Sequence, residues 1–420
     1  MPAPRRTFAL HVATVLAALL AGSVTDLATP ARAQRTQVGR AGGSVTAPAV
    51  TPPAQDYLAY VVSESADRVA LIRFGPKGAR IDRETSVGVM PTDLDGPHGV
   101  AVSPDGRYYY VTTAHGTPFG SLWKYATRND SLIGRVELGN FPASMQVSPD
   151  GDYVYAVNFN LHGDMVPSSV SVVMTDGLVE VARITTCTMP HGSRMNPQGT
   201  KQYSACMMDD MLVEVDTRTF GVSRHFMLAK GGEHGMAGAP RHRDAAMHGS
   251  AGHTAGGHDG AAGAGGASTP GAVSCSPTWA QPSADGSKVY VACNKSNEIV
   301  EVDATTWAVG RRLPAGDGVY NLAVTHDGRR LIATNKRGQS VSVFDLSSGK
   351  EVARLATKRK VVHGAAVSAD DRYVFISVEG IGSEPGTVEI VDLRALRVVA
   401  TVDVGQQAGG IDFWKAEPPK

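Results

Sequence analysis

The chain carries no surplus of charge: Lys plus Arg and Asp plus Glu number 40 each in 420 residues. That balance gives no electrostatic reason to expect nucleic acid or an anionic membrane as the main partner. After Gly22 no stretch reaches about 18 apolar residues, so no later segment reads as a membrane span. The chain has no Gly-x-Ser-x-Gly elbow, His-Glu-x-x-His, P-loop, Cys-x-x-Cys-His haem attachment or calcium loop of EF-hand spacing. Those absences remove the usual sequence marks of the corresponding chemistries. Cysteine is scarce, with four residues in all.

What the chain does contain is periodic. Gly106, Gly151, Gly199, Gly286 and Gly328 each close a four-residue turn of the Ser-Pro-Asp-Gly type, and Asp371 closes a sixth. Successive spacings are 45, 48, 87, 42 and 43 residues. One unit is therefore about 44 residues long, and the double interval hides an insertion of similar size. After each turn comes a β-rich run, such as Tyr108 to Thr113 or Tyr373 to Ser377, then a second alternating run that often ends in Asp, as at Asp216, Asp303, Asp345 and Asp392. Those aspartates read as turn caps. Several short strands per unit of this length predict an all-β, seven-bladed β-propeller of four-stranded antiparallel blades over residues 56–416. Six units are complete. The seventh is predicted to join residues 409–414 as its inner strand to outer strands between 57 and 89, which closes the ring and removes its open edges.

The N-terminal 33 residues read as a cleaved signal peptide: Arg5 and Arg6, an apolar run from Phe8 to Gly22, and Ala31-Arg32-Ala33 as the cleavage site. Arg5-Arg6-Thr7-Phe8 also resembles a twin-arginine signal, although an adjacent Arg pair suits a Sec signal too. The expectation is a periplasmic or secreted monomer, tethered by a disordered linker over 34–55. In that oxidising compartment Cys187 with Cys206 and Cys275 with Cys293, each flanking a turn, read as two disulfides within blades, with thiolate ligation the alternative.

Pro-His-Gly-Val-Ala-Val-Ser-Pro-Asp-Gly (97–106) followed by Tyr-Val-Thr-Thr (110–113) resembles the YVTN-type repeat of exported bacterial seven-bladed propellers. The resemblance covers residues 57–415 and is specific for fold; it implies no single activity, because one architecture hosts many.

Aligning the turns places His98, Ala143, His191, Thr278, Tyr320, His363 and Ala408 at the start of each inner strand, near one mouth of the channel. Three are histidines followed by glycine, and His115-Gly116 and His162-Gly163 lie in loops on the same face. Neutral imidazoles in that number suit copper or zinc, so His98, His191, His363, His115 and His162 form a candidate metal site. In placement alone it resembles the axial histidines of the nitrous oxide reductase propeller; the cupredoxin domain and copper motif of that enzyme are missing, which argues against N₂O reduction. The plainer reading makes Pro-His-Gly a structural wording, each imidazole bonding a backbone carbonyl. Residues 231–273 are nearly all Gly, Ala, Ser, His and Met and read as a disordered loop over this face, its His234, His242, His248, His253 and His258 either capturing metal or belonging to a neutral spacer.

Three function classes follow. The first is a binding scaffold for a protein, peptide or cell-envelope component. The second is a metal protein, hydrolytic or redox. The third is a lactonase-like hydrolase.

Overall fold

The structure, a computed structural model, describes residues 51–420 except 91, 116–119 and 241–273. The leader, residues 34–50 of the tether, and His242, His248, His253 and His258 lie outside the described residues. Within them the chain is a seven-bladed β-propeller. Blades 1 to 6 run consecutively from inner strands Pro97–Val102, Pro142–Val147, Pro190–Met195, Pro277–Pro282, Val319–Val324 and Val361–Val367. Blade 7 takes its inner strand, Ala408–Glu417, from the C-terminus and pairs it antiparallel with Asp56–Ser63, followed by Arg68–Gly75 and Gly78–Ser86. No helix among the described residues is long and apolar enough to cross a membrane.

The repeated turn works as its composition requires. Gly106, Gly151, Gly199, Gly286 and Gly328 all have φ between 68° and 83°, where a Cβ is strained. In the first turn Ser103 Oγ donates to Asp105 at 2.6 Å and accepts from Tyr108 N–H at 3.0 Å, holding the hairpin register. The aspartates that end the third strands cap turns as expected. Asp303 accepts from Thr305 and Thr306 N–H at 2.9 and 2.7 Å, and Asp392 from Arg394 and Ala395 N–H at 2.8 and 2.9 Å.

Alternating side chains of each strand pack against the next blade, so the core among the described residues is seven interblade clusters, with a smaller eighth of Ala114, Phe141, Ala143 and Phe159. Tyr110, Leu122 and Leu138 of blade 1, for instance, meet Met145, Val154 and Val173 of blade 2. Blade 7 is also locked electrostatically. Buried Arg73 bonds Asp56, Asp82 and Glu417 at 2.9, 2.8 and 2.8 Å, tying both ends of the described chain to one guanidinium.

Two expectations are corrected. Both disulfides form as paired, but Cys187 lies near the end of the ten-residue outer strand of blade 2 (Val179–Thr188) and Cys206 in the second strand of blade 3. That strand runs on past its own blade, and Ile184 and Cys187 pack among Met195, Cys206 and Met211 of blade 3. The bridge therefore joins two blades, whereas Cys275–Cys293 stays within blade 4. The insertion also begins as structure: His234–Ala237 adds a fifth strand to blade 3, pairing with Gly221–Met227.

Candidate functional site

Every inner strand carries a register shift at or beside the aligned ring position, between Pro97 and Gly99, Pro142 and Met145, Pro190 and Ser193, Pro277 and Trp279, Val319 and Leu322, Val362 and Ala365, and opposite Ala408. A β-bulge marks each position, and from four of them His98, Ala143, His191 and His363 line the axial cavity. The glycine that follows histidine has a reason the sequence did not show. A Cβ on Gly99 would run into Ala143 O and Thr112 Oγ1, and one on Gly192 into Thr278 O and Trp279. The glycine admits the neighbouring blade. Hydroxyls then stitch the blades together: Gly99 N–H donates to Thr112 Oγ1 at 2.9 Å, which donates to Ala143 O at 3.2 Å. Asn321 N–H, Thr334 Oγ1 and His363 O repeat the pattern at 2.9 and 3.0 Å.

His98, His191 and His363 do converge. Ring centroids of His98 lie 6.4 Å from His191 and 5.4 Å from His363. Phe141 connects them outward: its ring packs edge-on to His98, His115 and His162, and His115 is 5.7 Å from His162. His234 is elsewhere. It is exposed on the edge strand of blade 3, four strand spacings or about 19 Å out from the inner strand, with Nδ1 on Gly232 O at 2.7 Å.

A second ring, at or next to the first residue beyond each second strand, supplies the partners of the histidines. It includes Glu64, His115, Phe159, Lys336 and Glu379. Glu64, on a 3-10 turn over Glu64–Ala66, places Oε2 2.7 Å from His98 Nδ1 and Oε1 2.9 Å from His115 Nε2. Burial alone would push its carboxyl up, but the two imidazoles outweigh burial and hold it well below the ordinary carboxylate range. An ionised carboxylate only accepts, so both facing nitrogens are N–H, and His98 Nε2 is left facing the axial cavity. The hydrogen bond to Glu64 raises the pKa of His115.

The other half of the mouth is dry. Buried His191 donates from Nδ1 to Thr278 O at 3.0 Å and accepts at Nε2 from Tyr320 O–H at 2.8 Å. Burial, reinforced by His98, pushes its pKa down to about 3, which keeps it neutral. Burial and then the Lys336 ammonium push His363 well below its usual value. Lys336 Nζ sits 4.4 Å from the Tyr320 ring centre and 3.5 Å from Glu379, whose Oε1 is 3.9 Å from His363 Nε2. Burial raises the Tyr320 phenol.

Among the described residues no group of three or more His, Cys, Asp or Glu is disposed to hold a metal ion. Both nitrogens of His191 are engaged with protein partners. Sequence reading missed Glu64, Lys336 and Glu379 and gave Tyr320 no role. The register that found the first ring contains them too.

A family model described as lactonase, 7-bladed beta-propeller, matches residues 50–162, less than half of the chain. Among solved structures the chain is similar to hydrazine synthase of Kuenenia stuttgartiensis at 19% identity, over 77% of this chain and 91% of that chain, with a TM-score of 0.56. It is also similar to a functionally unknown protein from Desulfotomaculum acetoxidans DSM 771 at 14% identity, over 87% and 100% of the two chains, with a TM-score of 0.57. At these identities the likeness shows the fold alone. No curated protein matches the chain.

Proposed function

We propose that the axial mouth is a hydrolytic site for a small cyclic ester, a lactonase-like activity. The observation that carries this reading is Glu64 holding His98 and His115 at once. In this reading His98 Nε2 takes a proton from water as the oxygen attacks the lactone carbonyl, and the imidazolium formed is stabilised through Nδ1–H by Glu64. As the tetrahedral intermediate collapses, the ring C–O bond breaks and His98 returns the proton to the departing alkoxide, leaving a hydroxy acid. His115, its charged form favoured by the same carboxylate, supplies positive charge near the developing oxyanion. The partial lactonase match is consistent with this reading. The two disulfides and the lack of a membrane-crossing helix among the described residues suit an exported protein. Measuring acid release from five- and six-membered lactones at constant pH tests the proposal. Wild type should exceed Glu64→Gln by about two orders of magnitude; equal rates would remove it and leave a scaffold that grips its partner at this face.

Copper or zinc capture is a second reading, favoured by the approach of the rings of His98, His191 and His363. It requires His191 to give up Tyr320 or Thr278. Elemental analysis of protein from its native compartment, with His98→Ala as control, decides it.

A further inference from the structure

Along the axial shaft lies a cavity with about 30 Å³ of room, enough for about two waters, lined by His98, His191 and His363 together with Met145 and Asn321. Arg194, from the inner strand of blade 3, lines it. Its guanidinium lies 4.5 Å from the Trp279 ring. Nη1 alone carries its protein hydrogen bonds, to Ser193 O at 2.8 Å and Met145 O at 3.3 Å. Nε and Nη2 have no partner among the described residues, nor are they among the sealed-off polar atoms, so this edge of the fork opens onto the shaft.

The carboxylate whose field reaches Arg194 is Asp412. Its oxygens are already engaged: Oδ2 accepts from Val102 N–H at 2.8 Å and Oδ1 from Phe413 N–H at 2.9 Å. Burial raises the Asp412 carboxyl, which weakens it further as a counter-ion. A half-buried guanidinium with one edge left unpaired by protein favours an anionic partner there. The burial shows in the Arg194 pKa, which falls to about 10. Trp279, on the same shaft, also keeps a buried N–H without a partner.

We infer that the shaft binds a small planar oxyanion, of formate or nitrate type, across the Nε–Nη2 edge of Arg194. Side-on pairing matches two coplanar oxygens to two parallel N–H groups, the strong bidentate geometry of guanidinium. The size of the cavity restricts the ligand to an anion of three or four heavy atoms. The site stands on Arg194 and Asp412, neither of which takes part in the proposed lactone opening, although His98 lines the same cavity.

Titrating the full chain with sodium formate, at constant ionic strength maintained with a bulky buffer anion, tests it. Calorimetry should give saturable binding, and the thermal midpoint should rise by about 2 °C. Arg194→Gln should weaken binding by about tenfold or more. Asp412→Asn removes the competing charge and should tighten it several-fold, which gives a gain of affinity to read if Arg194→Gln does not fold. Nitrate should compete with formate, and benzoate should not. Competition by benzoate would mean that the fork takes the carboxylate of a larger molecule and would overturn the small-anion assignment. Absence of saturable formate binding, or the same affinity in both variants, would overturn the site itself.

Discussion

His98 and His191 occupy the same place in the repeat, in the same Pro-His-Gly wording, and do opposite things. His98 turns Nδ1 to the Glu64 carboxylate at the partly wetted edge of the mouth, with 13% of its side chain exposed. His191 turns Nδ1 to a backbone carbonyl in the dry interior and is 2% exposed. The tripeptide therefore fixes backbone and glycine contact, while the second ring fixes chemistry. An imidazole next to a carboxylate can accept and hold a proton. One held between a carbonyl and a phenol is kept neutral and spends its hydrogen bonds on joining blades 3, 4 and 5.

The strongest test of the contrast is to remove the imidazole from each side. His98→Asn should lower lactone hydrolysis by about 10²–10⁴ while the thermal midpoint moves less than for loss of His191, because asparagine can still donate to Glu64 and Gly99 still seats the next blade. A variant that kept the wild-type rate would erase the distinction between the halves. His191→Ala should do the reverse first. It opens a cavity and orphans Thr278 O and the Tyr320 hydroxyl, and should cost about 3 kcal/mol in denaturant unfolding. Tyr320→Phe removes a single hydrogen bond and should cost about 1 kcal/mol.

The same side has a pH signature. With a folded pKa near 3 against 6.5 in the free residue, His191 binds a proton in the unfolded chain before it does in the fold. Its contribution is therefore intact above 6.5 and erodes as pH falls from 6.5 towards 3, by up to about 1.4 kcal/mol per pH unit. His363, also lowered, acts in the same direction. Unfolding midpoints of wild type and His191→Gln between pH 7 and 4 should converge on acidification; parallel curves would show that the dry side does not resist protonation.

How much of this was legible follows from what the repeat encodes. The period, the turn glycines, the split blade and the ring position are local or strictly periodic, so His98, His191 and His363 could be placed together from spacing alone. Glu64 is periodic as well, but it sits in the split blade, where no Pro-His-Gly precedes it, and one carboxylate in Ser-Glu-Ser-Ala carries no motif. Lys336 and Glu379 follow Asn335 and Val378 at the matching register, and comparison of strand ends across blades would have exposed them. The bridge from Cys187 to Cys206 was paired correctly from symmetry about a turn. Its crossing between blades was not visible, since nothing in Ile-Thr-Thr-Cys shows that the outer strand of blade 2 continues under blade 3. His234 was grouped by composition with the loop, and composition carries no information on distance from the axis.

The smallest effect belongs to His115, which sharpens the contrast from the wet side. Its Nε2–H is bonded to Glu64 at 2.9 Å and its side chain is 31% exposed, so solvent screens much of the attraction and the stabilisation should stay under about 1 kcal/mol. The sign is opposite to that of His191. A folded pKa raised above 6.5 means that the contribution is complete below 6.5 and is lost as pH rises through the folded value. The stability gap between wild type and His115→Gln should therefore be widest near pH 6 and close towards pH 9, while the His191→Gln gap grows from acid to neutral. If both gaps moved in the same direction with pH, the two histidines would share one environment, and Glu64 could not be what separates them.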